Sequence, residues 1–428
     1  MPIPTREILD AARLRAESLR RQQIAWQEEL DWHCYQLYGL TDQDLTHPNP
    51  PEINFGERAF EIVLARRIAN GGEATTWFSR HGANPITELP AHWPDDYRAV
   101  VEARIDLIEA DKSIGLIERP EYKRRWAQEP WEQQEKAALK AWLLDRLEEP
   151  RFWPEPVALT TTNKLADRVR LDAEFMPVAE LYAGRADFDV SALVADLASA
   201  EAVPLLPVLR YTESGLRKRA AWEQTWELQR LEDVISPSPP TPLPAGERGE
   251  LERGASGEGL NIPVPPKYQN KDFQKSDYWR LRGGLDVPKE RFVSFPHCSR
   301  DADGSLVVAW AGWNPLQLAT AIASYFLDMK ENEGWQAERL NPLIAGIAEL
   351  VPWIKQWHND PDPSHGQRMG DYMDSFVDEE AKALGATRAA LLAWQPPVTR
   401  AVRKKRGGLS GRMNLPLQNN LMQHNLMA

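Results

Sequence analysis

Residues 27–45 read QEELDWHCYQLYGLTDQDL, and the rest of the chain is organised around this stretch. Leu9, Ala12, Ala16, Leu19, Gln23, Trp26, Leu30, His33 and Leu37 alternate spacings of three and four. That places them on one stripe of a helix running from about Thr5 to Tyr38. Gly39 follows the last periodic residue and can take the left-handed conformation that closes a helix. Thr41 with Asp44 three residues on forms a cap for whatever begins next. On such a stripe a histidine is more often a satisfied core residue than a ligand, so His33 is expected inside.

Outward from this helix, Thr46 to Asn54 is a proline-broken loop, and Glu57 to Ala69 resumes helical spacing until Gly71-Gly72 stops it. Asp95 to Lys112 and Glu135 to Glu149 each show one apolar helical face. Thr160 to Phe175 and Val190 to Ala200 continue the pattern. Pro204 to Tyr211, short and proline-punctuated, suits a strand or an extended connector. Ser214 to Val234 is an amphipathic helix carrying Trp222, Trp226 and Leu231. Arg291 to Pro296 and Ser305 to Ala311 are β-type runs either side of a turn at Asp303-Gly304. Asn314-Pro315 then opens a helix with a good cap and a first-turn proline. Further helices are expected at about 315–331, 338–357 and 370–394.

The fold class is therefore mainly α, with helical bundles, a long N-terminal helix and a small α+β C-terminal domain. The expected division is a spacer helix at 1–45, a helical domain at 46–200, and a mixed α+β domain formed by 201–235 with 260–406. Residues 236–259, SPSPPTPLPAGERGELERGASGEG, are Pro, Gly, Ser and Glu with no core-forming period, and are expected to be a disordered low-complexity insertion. The patternless 407–428 is expected to be a disordered tail.

At 428 residues, two or three domains are expected. A chain that is 42% hydrophobic and 27% charged has a soluble globular composition, and its 17 tryptophans imply wide packing surfaces or an interface. Two cysteines, Cys34 and Cys298, exclude a disulfide framework and fit a reducing cytosol. No run approaches the length of a membrane span. The net charge of −12 argues against a surface basic all over, yet nucleic-acid binding needs only a local stripe.

Basic residues cluster locally. In KYQNKDFQKSDYWRLRGG, Lys267, Lys271, Lys275, Arg280 and Arg282 alternate with Tyr268, Phe273, Tyr278 and Trp279. Cations of this kind neutralise phosphates, and aromatics pack on sugars or bases. The competing reading is that the aromatics anchor a loop while the lysines face water. Arg217, Lys218 and Arg219 form a second cluster in the first turns of a helix, where cations are unfavourable unless an anion relieves them. Arg400 to Arg406 suits a solvated tail. The DNA-binding candidates are therefore Arg217, Lys218, Arg219, Lys267, Lys271, Lys275, Tyr278, Trp279, Arg280 and Arg282.

Catalytic chemistry is not legible. Asn49-Pro50-Pro51 is followed by Glu52, which cannot stack on a flipped base, and no strand with a glycine-rich turn precedes it, so a connector is the better reading. Asp95 with Glu102 and Arg104 faintly echoes a metal-dependent nuclease but falls in a helical run. His33-Cys34 and His297-Cys298 have zinc-compatible donors without a further ligand cluster. No catalytic, cofactor or metal residue is assigned.

Four stretches, in chain order, carry a resemblance: LDWHCYQLYGLTDQDL at 30–45, FGERAFEIVLARRIA at 55–69, YTESGLRKRAAWEQTWELQRLED at 211–233 and IPVPPKYQNKDFQKSDYWRLRGGLDVPKERFVSFP at 262–296. Together they resemble the C-terminal part of the PglX family, the adenine-specific DNA methyltransferases of type 2 BREX phage-defence systems. The likeness covers most of 5–406 and resumes directly after the proline-rich interruption. It implies a DNA-recognition and scaffold portion, cytoplasmic, whose catalytic domain and S-adenosylmethionine site lie upstream of the matched region. The two basic clusters, if they form one surface, imply weak duplex DNA binding through phosphates, and the missing donor turn and base-stacking aromatic imply no cofactor of the chain's own and no methyl transfer alone. The partners implied are a separately encoded methyltransferase domain and other BREX proteins. The alternatives are a protein-docking module using its Trp-rich helices, and a nonfunctional remnant of an interrupted gene.

Overall fold

The computed structural model describes residues 2–124, 126, 129–235, 260–282, 289–363 and 366–397. The expected insertion at 236–259, the Arg400 to Arg406 cluster and the tail from 407 lie outside these residues.

The chain opens with helix α1 (Arg6–Leu37), 32 residues long, whose cap residue Thr5 accepts a hydrogen bond from the Ile8 amide, and Gly39 follows at φ +68°. The expected stripe faces the opposite way from its reading in sequence. At 100° per residue, Ile8, Leu19, Trp26, Leu30 and Leu37 fall within one narrow strip, and all five are exposed, Leu37 by 72%. His33 shares that outward strip and is exposed. The inward face is Ile24, Ala25, Glu28, Glu29 and Trp32.

Buried acids on that face are matched by cations from later in the chain, among and beyond the next four helices. The helices that follow are α2 (Ala59–Ala69), α3 (Trp77–His81), α4 (Asp95–Ala110) and α5 (Lys112–Ile117). Arg104 on α4 donates to Glu29 at 2.6 Å and to the Leu45 carbonyl, tying α4 to α1 and to the chain leaving it. Lys123 is ion-paired to Asp31 and Glu118, each at 2.7 Å, with Glu28 at 3.7 Å, and Tyr35 donates to Glu118. Arg58 and Glu61 form a second buried pair, and Glu61 also accepts from Trp77 Nε1 at 2.9 Å. A buried charge is tolerated only when paired and hydrogen-bonded, and here each cation serves more than one acceptor. Apolar residues such as Phe60, Ile62, Trp93, Tyr97 and Ile105 fill the remaining core.

A second core follows, from α6 (Trp131–Leu147), α7 (Thr162–Val169), α8 (Phe175–Ala183) and α9 (Val190–Ala200). The helical reading of Thr160 to Phe175 is corrected at both ends. Thr160 and Thr161 are strand β1, and α7 stops at Val169, before α8 begins at Phe175. β-Branched threonines favour the extended backbone, and Thr161 then caps α7 by accepting from the Lys164 amide. Strands β2 (Ala202–Pro204), β3 (Phe292–Ser294) and β4 (Val307–Trp310) complete a four-stranded sheet ordered β1-β4-β3-β2. The β3–β4 pair is antiparallel about the expected turn, with Gly304 at φ +66°, whereas β2 pairs with β3 in parallel. A parallel pair needs a long crossover. That crossover is α10 (Pro207–Arg210), α11 (Glu213–Ile235), the residues that follow it, and α12 (Ser276–Arg282).

The third core packs α13 (Pro315–Glu331), α14 (Ala337–Trp357), α15 (Met369–Ala383) and α16 (Arg388–Leu392) against one side of the sheet. Asn314 caps α13 as expected, accepting from the Gln317 amide while its own amide donates to the Gln317 side chain. A two-residue ribbon, β5 (Pro361–Asp362) with β6 (Gln367–Arg368), links α14 to α15. The molecule is thus mainly α with few short strands, as expected. Among the described residues no helix is long and apolar enough to cross a membrane.

Candidate functional site

The two basic clusters meet on α11. After residue 260 the chain runs back along that helix: Thr225 Oγ1 donates to the Pro263 carbonyl, Trp222 Nε1 to Pro266 and Lys218 Nζ to Lys267. This strap then turns at Asn270–Asp272, where the Asp272 carbonyl accepts from the Thr212 amide at 2.9 Å. A Cβ added to Gly215 would stand 2.1 Å from that carbonyl oxygen, so the close approach of strap and helix requires glycine.

Asp272 is the joint. Fully buried, its carboxylate accepts from Lys218 Nζ at 2.6 Å, Ser214 Oγ at 2.7 Å and the Gln269 amide at 2.7 Å. Burial opposes the charged form, yet these donors outweigh it and hold the carboxyl below its ordinary value. Tyr211, Tyr268 and Phe273 form a small aromatic core beneath the strap, with Tyr211 and Tyr268 stacked at 5.2 Å. Tyr278 and Trp279 pack half-buried against it.

The ten sequence candidates therefore divide. Lys218 is bound to Asp272. Arg219 is paired with Glu349 at 2.6 Å and Glu223 at 2.7 Å. Arg282 pairs with Glu290 at 2.6 Å. Lys267, Lys271 and Lys275 are exposed, Lys275 lying 5.4 Å from the Tyr278 ring centroid. Arg217 and Arg280 are also exposed and make peripheral pairs with Glu213 and Glu201. The strap thus presents cations outward and uses its aromatics as anchors.

Behind the strap, between α11 and α14, lies a groove of about 980 Å³. Trp222 and Trp226 line it from α11, Trp353 and Trp357 from α14. Trp353 and Trp357 stack at 5.0 Å, and Trp226 meets Trp353 edge-on at 5.7 Å. Burial raises Glu223 in this setting, with Arg219 opposing it. The groove was not identified from sequence, although two Trp-x-x-x-Trp pairs, each on one helical face, are a usable signal for it.

Other sequence features have structural placements. The Asn49-Pro50-Pro51 stretch is loop, and Glu52 accepts from Arg21 on α1 at 2.6 Å. Arg104 is the buried partner of Glu29, whereas Asp95 is exposed. Cys34 is half-buried on α1, and Cys298 is inside the C-terminal core, where burial pushes its thiol up to about 12. Among the described residues no three His, Cys, Asp or Glu side chains are grouped to hold a metal.

No solved structure matches the chain. Adenine-specific methyltransferase PglX of Streptomyces coelicolor is 42% identical over 414 residues, which is 94% of this chain and 32% of that protein. The chain therefore spans about a third of the length of the curated relative it matches, as a partial, C-terminal-like region of it. Residues 23–406 match a family described as a domain of unknown function, DUF7008, and to that family the chain belongs.

Proposed function

We propose that the chain is the DNA-engaging portion of a BREX-type phage-defence adenine methyltransferase, acting in the cytoplasm, with methyl transfer from S-adenosylmethionine performed by another part of the machinery. The observation that carries the reading is the junction of the two basic clusters through Lys218 and Asp272, which puts Arg217, Lys267, Lys271 and Lys275 around one end of α11. Exposed cations on a rigid support neutralise phosphates of duplex DNA and release counterions. Titrating duplex affinity against salt tests it. Replacing Lys267, Lys271 and Lys275 by alanine should lower the salt slope by about 2.7, at roughly 0.9 per phosphate contact, and weaken all sequences alike. An unchanged slope, or no duplex binding at low salt, rejects the reading.

A second reading, docking, is favoured by the outward strip of α1. Eight turns of helix carry Ile8, Leu19, Trp26, Leu30 and Leu37 on one exposed line, the pattern of a helix packed on both sides. Its occupant in this reading is the remaining two-thirds of a PglX-type protein. Co-purification with that portion of the Streptomyces coelicolor protein should be lost in Leu30→Glu. Retention of binding would exclude the strip.

A further inference from the structure

We infer that the duplex surface extends from the strap onto α6, where Lys140 and Arg280 converge to hold one backbone phosphate beside Glu201. This rests on the duplex reading and adds to it a contact from the second core. Lys140 Nζ and Arg280 Nη2 each lie 3.4 Å from the same oxygen, Glu201 Oε1. Both contacts are longer than the roughly 2.7–2.9 Å of a charge-assisted hydrogen bond, since one oxygen serves two cations. Among the described residues no other carboxylate is within ion-pair distance of Lys140. Arg280 has a second acid, Asp277 at 3.9 Å, but that is an exposed neighbour on the same helix, and such pairs contribute little. The two cations therefore carry more positive charge than Glu201 cancels.

The elements that bring them together are fixed. Glu201 follows α9 directly, is 9% exposed, and its carbonyl accepts from the Arg291 and Phe292 amides where β3 begins. Arg280, on α12, also donates to the Ala200 carbonyl at 3.2 Å, at the C-terminal end of α9 where a cation is favoured. The side chains remain open to a ligand, Lys140 by 33% and Arg280 by 54%. A guanidinium fork and an ammonium facing one gap suit the two free oxygens of a backbone phosphate. Glu201 keeps the like charges from repelling one another in the free chain, and a phosphate supplies the anion that is still lacking. Lys275 immediately precedes α12, so the outward lysines of the strap lead to this pair along one short helix.

The test titrates duplex affinity of the whole chain against salt for Lys140→Ala with Arg280→Ala, and for Glu201→Gln. Lys382→Ala, which removes an exposed charge from α15, is the control. The double variant should lower the salt slope by about 0.9, the worth of one phosphate and not two, because both cations serve the same one. Glu201→Gln should tighten binding by about three-fold, since the phosphate no longer shares its cations with a carboxylate. Lys382→Ala should leave slope and affinity as they are. An unchanged slope in the double variant overturns the inference, as does unchanged or weaker binding in a Glu201→Gln chain that melts like the wild type. An equal loss in Lys382→Ala assigns the effect to net charge and also overturns it. A lower slope in the strap triple variant, with none in the double variant, removes this site and leaves the duplex reading standing. A wild-type chain that binds no duplex at low salt removes both.

Discussion

Gly215→Ala is the most direct probe of how the basic strap is held. The added Cβ meets the Asp272 carbonyl oxygen at 2.1 Å and Tyr211 Cβ at 2.9 Å. Helix and strap must part by roughly 1 Å to restore an ordinary contact, which strains the Thr212–Asp272 backbone bond and the Lys218–Asp272 pair beside it. Overpacking of this kind costs about 1–3 kcal/mol. Alanine returns at most about 1 kcal/mol of helix propensity, and less in a first turn. A net loss of ~1–2 kcal/mol is expected as a lower urea midpoint at unchanged m. The lost stability should be local. Cleavage between 260 and 275 should accelerate more than cleavage in α13 or α14, and, if the strap binds duplex DNA as proposed, affinity should fall although no basic side chain has changed. Full stability with unaltered cleavage would refute the requirement for glycine and with it the rigid junction.

Two further outcomes follow from the N-terminal core. Burial pushes Glu28 from 4.5 up to about 7, opposed by Lys123. A carboxyl raised on folding costs nothing below its unfolded value and costs progressively more as pH rises through 7. Glu28→Gln should therefore gain on the wild type between pH 5 and 8, by on the order of 3 kcal/mol at most, and parallel melting curves over that range would rule this out. Lys123→Met, which strands Glu118 and Asp31 without their cation, should cost about 3–5 kcal/mol in urea unfolding at pH 7, and a smaller loss than ~1 kcal/mol would show that the pairs are not structural.

Several boundaries were legible from a chemical stop, Thr5 and Gly39 around α1, Asn314 before α13 and Gly304 between β3 and β4, whereas the helix expected over 370–394 breaks at Gly385 and no helix follows the expected cap at Thr41 and Asp44. Which way a helix faces was not. Periodicity measures where apolar residues gather, and on α1 they gather away from the core because Glu28 and Glu29 are buried by partners over 70 residues later, Arg104 and Lys123. Strand Thr160–Thr161 was hidden for the same kind of reason, since two residues hold no period and its partner is Val307–Val308. Of the site, the basic and aromatic residue types could be read in order, but not which cations would be consumed. Lys218, Arg219 and Arg282 resemble their neighbours in sequence and differ only in the acids that folding brings to them, Asp272, Glu349 and Glu290.

The strap's return along α11 also gives the chain an insertion port. Its two flanks, the first half of α11 and residues 263–267, are pinned to one another by Lys218, Trp222 and Thr225. Whatever chain joins Ile235 to Leu260 closes between anchors already in place. Each doubling of such a connection costs only about 0.6 kcal/mol in closure entropy. Chain length at this point is therefore nearly decoupled from the stability of the sheet that the crossover completes. A fluorescent or affinity domain spliced there should leave both the strap and the parallel pairing of Ala202–Pro204 with Phe292–Ser294 in register.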